Sequence, residues 1–77
     1  MSAYNKESRP GLDPLIAQLV RARVDQDLSQ EAMALKAGVS RATLARWERG
    51  THGPTLPGLT RWTRALGLTL KVIEDTP

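Results

Sequence analysis

The stretch SQEAMALKAGVSRATLARWERG, Ser29 to Gly50, is written as two helix-forming runs of the same design. Ser29 and Ser40 each precede such a run, where a side-chain oxygen accepts a bond from a backbone N–H that the first turn leaves orphaned. Gly38 and Gly50 close the runs, because glycine enters the left-handed conformation that ends many helices without a Cβ penalty. Gly38, Val39 and Ser40 therefore leave a three-residue break between two short helices.

The apolar positions say how these helices meet. Met33, Ala34 and Ala37 share one face of the first, Leu44 and Trp47 one face of the second, and Val39 lies in the turn; all are expected to be buried. The solvent face of the second helix is then Arg41, Ala42, Ala45, Arg46 and Arg49, which is basic and slim. Two helices joined by so tight a turn are a helix-turn-helix.

The segment resembles the Cro/repressor-like family of the phage repressors and Cro proteins, also called the xenobiotic-response-element type. Leu28, Ser29, Gln30, Met33, Ala34, Gly38, Val39, Ser40, Leu44, Trp47, Glu48, Arg49, Gly50 and Pro54 carry the resemblance, and it extends more weakly from about Leu15 to Leu68. LSQ, GVS and WERG in one register are a specific signal. The departures are Ala37, where the family usually has a larger aliphatic residue, and Pro57-Gly58 early in the next helix.

Working outward, Asp13 and Pro14 mark a helix start, an acid at the cap followed by a proline whose missing N–H costs nothing there. This helix is expected to run to about Gln26 with Leu15, Ile16, Leu19, Val20 and Val24 as its buried stripe. Arg23 falls on that stripe, and an unpaired buried ion is too costly to persist. Glu48 is its candidate partner, as the resemblance also implies; the alternative is that Arg23 snorkels to a phosphate. After Gly50, Thr55 can cap a last helix with Leu56, Leu59, Trp62 and Leu66 as its stripe, Pro57 in its first turn and Gly67 as its stop.

The ends differ in character. Residues 1–11, MSAYNKESRPG, are polar and without helical period, and read as a flexible arm whose cations are Lys6 and Arg9. Leu68 to Ile73 alternates and is rich in β-branched residues, which is strand chemistry with no second strand in the chain to pair with. It is expected to pair with the same strand of a second subunit through Leu68, Leu70 and Val72; a disordered tail or addition to another protein's sheet are the other options. The fold expected is thus all-α: a bundle of four, or five, short helices at residues 12–67, with a C-terminal strand and tail at 68–77.

Composition narrows the function. A chain of 77 residues buries about 60% of its unfolded surface and gains from association. It has no cysteine, so no disulfide frame or thiolate metal site is available, and its lone His52 has no second ligand at metal spacing. No nucleophile pairs with a base and no glycine loop fits a phosphate, so neither an enzyme nor a cofactor is expected. No apolar run approaches the ~20 residues of a membrane span, and the N-terminus lacks a signal-peptide core; the cytoplasm is the expected location. The net charge of +3 is modest, but Arg41, Arg46, Arg49, Arg61 and Arg64 face a single acid, Glu48, over Arg41 to Arg64. That distribution favours phosphate.

The expected partner is double-stranded DNA, with the helix from Arg41 to Arg49 entering the major groove. Arg41 is placed for a bidentate contact to guanine, Ala42 for a thymine methyl, and Thr43 and Arg46 for further base edges. Ser40, Arg49, Thr51 and His52 would line the backbone. The resemblance implies that Gln30, and more weakly Ser29, anchors a phosphate or buttresses the reading helix. Two functions are compatible with this. One is a repressor acting as a homodimer on a palindromic operator. The other is an antitoxin, which its LGLTLKVIE ending resembles, neutralising a protein toxin and regulating its own operon.

Overall fold

The computed structural model describes residues 12–75; the expected arm at 1–11 lies outside them. Four helices are present among these residues: α1 Pro14–Asp25, α2 Gln30–Ala37, α3 Arg41–Arg49 and α4 Leu56–Ala65. Each starts on the residue its sequence predicts. Asp13 Oδ1 accepts Leu15 N–H at 2.7 Å, Ser29 Oγ accepts Ala32 N–H at 3.0 Å, Ser40 Oγ accepts Thr43 N–H at 3.0 Å, and Thr55 Oγ1 accepts Gly58 N–H at 3.1 Å. Such a cap contributes about 1 kcal/mol to its helix.

All four helices also end alike. A left-handed residue folds the chain back so that the next N–H reaches a carbonyl five residues earlier: Leu28 to Arg23, Val39 to Ala34, Thr51 to Arg46 and Leu68 to Thr63, at 3.0 to 3.1 Å. The left-handed residue is glycine at 38, 50 and 67, but at the end of α1 it is Asp27, with φ 59°.

Helix α2 packs against both α3 and α4, and α1 closes over α3. The core they enclose holds Leu12, Ile16, Leu19, Met33, Ala34, Ala37, Leu44, Trp47, Trp62 and Leu66. Met33, Ala34, Ala37, Leu44 and Trp47 are buried as expected, while Val39 in the turn is half-buried. The two tryptophan rings lie 5.6 Å apart, tilted by 32°, an arrangement worth about 1 kcal/mol beyond the area it buries.

The unusual Pro57-Gly58 pair has its reason here. A Cβ on Gly58 would lie 2.9 Å from Trp47 Cη2, so the first turn of α4 approaches the indole closely only because this residue has no side chain. Two further hydrogen bonds join helix ends across the core. Gln26 Nε2 donates to Leu66 O at 2.9 Å, and Arg61 Nε donates to Ala37 O at 3.2 Å, holding α4 against the end of α2.

Two expectations are corrected. Val24 is 55% exposed and Leu56 79% exposed. Steps of four residues overshoot a full turn by about 40°, and steps of three fall short by about 60°. The row Ile16, Val20, Val24 therefore drifts off the core, which meets Ile16, Leu19 and Arg23 on α1 and Leu12 just before its cap. Leu56 is the first residue of α4 and is exposed at the helix end. Residues 68–75 form no strand within the single chain, where a ladder has no second strand among the described residues; the expected pairing is with a second subunit. Leu68 and Leu70, 42% and 41% exposed, instead lean toward α4, where with Thr60, Thr63, Arg64 and Thr69 they line an open groove of about 190 Å³. Val72 is fully exposed. No described helix is long and apolar enough to cross a membrane.

Candidate nucleic-acid interface

Helix α3 has two chemically opposite sides. Leu44, Trp47 and Glu48 are buried, whereas Arg41, Ala42, Arg46 and Arg49 are exposed, with Thr43 and Ala45 half-buried on the flanks. The outward strip thus runs through Ala42, Arg46 and Arg49, with Arg41 at the N-terminal end. The two alanines keep the helix slim between long cationic side chains, and its one acid points inward.

That acid is held by a network joining three helices. Arg23 of α1 donates from Nε to Glu48 Oε2 at 2.7 Å and from Nη2 to Oε1 at 3.0 Å, a two-pronged pair. A further bond runs from Arg23 Nη1 to Leu28 O at 2.6 Å, fixing the guanidinium against the segment that leads into α2. Gln30, the first residue of α2, donates from Nε2 to Glu48 Oε1 at 3.0 Å. The Arg23 and Glu48 side chains are 15% and 6% exposed, so the snorkelling alternative for Arg23 does not hold. The residues that start α2 and end α3 are thereby locked together, which fixes the angle at which α3 is presented.

The other expected residues fall around this helix. Ser29 and Ser40 are caps, their oxygens occupied by Ala32 and Thr43 N–H groups, and both remain exposed. Thr51 closes the far end of α3, its N–H and hydroxyl both donating to Arg46 O, at 3.1 and 3.3 Å. His52 is exposed in the loop that follows. Gln30 sits beside them with its amide nitrogen turned to Glu48, the buttress geometry. Leu68, Leu70 and Val72 lie apart from α3, on the tail that follows α4.

The resemblance implied Gln30 as a phosphate anchor or buttress without naming Glu48 as the group it holds, and sequence reasoning did not reach the Gln26–Leu66 and Arg61–Ala37 contacts. Each joins a side chain to a group on another helix, and no local spacing encodes which polar atoms such packing brings together. Arg61 lies in the middle of α4, where its sequence position gives no hint of a carbonyl target, and only the placement of α4 shows that it serves the end of α2.

A family model described as helix-turn-helix, of the Cro/C1 type, matches residues 19–73, from the middle of α1 into the apolar tail. Comparison with curated proteins gave no match.

Proposed function

The chain belongs to the helix-turn-helix family of DNA-binding regulators of transcription, and on that premise we propose a sequence-specific repressor that binds a palindromic operator as a homodimer. The observation that carries this reading is the outward strip of α3: Arg41, Ala42, Arg46 and Arg49 are exposed on a helix whose acid is buried and paired. Arg41 and Arg46 supply donors for guanine edges, Ala42 fits a thymine methyl, and Arg49, Thr51 and His52 lie toward the backbone. Gln30 and Ser29 sit where the preceding helix would cross a strand. One short helix reads few base pairs, so two half-sites about 34–36 Å apart give the specificity a single copy lacks.

Selection from a pool of random duplexes tests this. A repeated half-site, two-fold related, is expected; a pool without enrichment overturns the reading. On the selected duplex Arg41→Ala should weaken binding by about 1–3 kcal/mol and relax preference at one base pair. Arg49→Ala should weaken all duplexes alike and flatten the salt dependence. Equal losses for Arg41→Ala on selected and scrambled duplexes would remove it from base reading.

A second reading, an antitoxin that also regulates its operon, is favoured by the exposed apolar tail, where Val72 is 101% and Ile73 77% exposed. Co-expression with the product of the neighbouring gene separates the two. Relief of that product's toxicity by the full chain, lost on truncation after Gly67, supports the antitoxin; a harmless neighbour leaves the repressor alone.

A further inference from the structure

The tail beyond Leu68 lies beside α4 without backbone bonds to it. Leu68 N–H reaches Thr63 O at 3.0 Å, and among the described residues Thr69 to Asp75 make no backbone–backbone hydrogen bond. Leu68 and Leu70 line the groove with Arg64, whereas Val72, two residues on in the same alternation, is fully exposed. The tail thus carries backbone groups open to pairing and an apolar row that one copy covers only in part.

A second copy can cover both, and two-fold symmetry allows few ways. Directly opposite residues of an antiparallel ladder point to the same face, and a two-fold gives both copies the same alternation, so one residue stands on the axis opposite itself. An axis at Leu68 or Thr69 carries the ladder into Gly67, which is left-handed, and Leu66, which is buried at the end of α4. An axis at Lys71 sets two ammonium groups opposite each other, which is destabilising, and Glu74 opposite Leu68. An axis at Val72 or Ile73 sets Glu74 opposite Leu70 or Val72, a carboxylate in the apolar row. With Leu70 on the axis, Leu68 meets Val72 on the apolar face and Thr69 meets Lys71 on the other. Glu74, in the same alternation as the apolar row, then passes the end of the ladder at the last turn of α4, where Arg64 is exposed.

We infer that the tail joins two copies in this one register: Leu70 on the two-fold axis, Leu68 opposite Val72 of the partner subunit, and each end closed by an ion pair between Arg64 and Glu74 of the partner subunit. The inference rests on the homodimer reading and refines it. Val72 is covered by the same step that pairs the backbone, and the register is set by where the charges fall.

The chain has no cysteine, so single cysteines introduced into the full chain report the register without background. Opposite residues bring their Cβ atoms to about 4.5–5.5 Å, close to disulfide range, and a shift of two residues takes them out of it. Under mild oxidation Leu70→Cys should link to itself. Thr69→Cys and Lys71→Cys, on the other face, should each link to themselves poorly and several-fold better when mixed; this pair decides the register even where Leu70→Cys weakens the fold. Arg64→Glu and Glu74→Arg should each weaken dimerisation about 10-fold in sedimentation, as two symmetric pairs turn repulsive, and the double variant should return to within about three-fold of the parent. A dimer that self-links fastest at Thr69→Cys or Lys71→Cys, or that no tail cysteine links, overturns the register and leaves the homodimer reading standing. Additive losses for the two charge reversals overturn the ion pair. A parent that stays monomeric on its selected duplex overturns both the inference and the homodimer.

Discussion

Arg23→Met removes the charge that Glu48 was folded around. The Glu48 side chain is 6% exposed and receives two bonds from Arg23 and one from Gln30. After the substitution only the Gln30 bond remains, and a carboxylate in that position is close to an uncompensated buried charge, a situation that costs about 3–5 kcal/mol. Leu28 O loses its 2.6 Å donor in the same step. A chain of 77 residues has roughly 4–12 kcal/mol of total stability, so a loss of this size leaves little. Glu48→Leu alone strands Arg23 and should be similarly damaging. The two together remove both ions and should recover about half or more of the summed loss, because apolar residues of similar volume often replace a buried pair without penalty. Arg23→Lys keeps the charge but not the two-pronged geometry, and should fall between parent and Arg23→Met. Urea unfolding reads these effects through the intrinsic fluorescence of Trp47 and Trp62, both buried. With an m-value of about 1 kcal/mol/M, a loss of about 3 kcal/mol moves the midpoint by about 3 M. Additive losses in the double variant would refute the coupling and show that the two side chains act separately.

Gly58→Ala should lower stability by about 1–2 kcal/mol, the clash with Trp47 outweighing a gain of up to about 1 kcal/mol in helix propensity. Gly53→Ala, whose Cβ would meet nothing within 4 Å, serves as the neutral comparison; equal midpoints for the two would mean that Trp47 yields without cost. Asp27→Gly should raise stability by about 0.5–1 kcal/mol, because it relieves a left-handed conformation that only glycine takes freely. An unchanged or lower unfolding midpoint would show that the Asp27 side chain does something the backbone angle does not reveal. Leu70→Pro should leave the helices folded, yield a monomer in sedimentation at concentrations where the parent is dimeric, and sharply reduce operator affinity. A chain truncated after Gly67 that still dimerises and binds normally would place the dimer contact on the helices instead of the tail.

What the sequence alone determined about this protein was its local grammar. Asp13, Ser29, Ser40 and Thr55 cap, and Gly38, Gly50 and Gly67 stop, because each satisfies or redirects backbone groups within one helical turn of itself, and that chemistry is the same in any surroundings. The outward strip of α3 was legible for the same reason, since Leu44 and Trp47 fix which side is buried. Charge alone said that Arg23, a cation on a buried stripe, needs a partner; that the partner is Glu48 came from its place after Trp47 together with the family resemblance, and the structure decided it against snorkelling. What only tertiary structure decided was how far each stripe stays in contact and which polar atoms meet across helices. Val24 has the right residue type but lies a turn too far along a drifting row, and Leu56 stands at the exposed start of its helix. Asp27 ends α1 in a conformation that its own chemistry does not favour, because Leu28 must return to close over Arg23. Gln30 meets Glu48, and Arg61 meets the end of α2, only once α2 has been placed between α3 and α4.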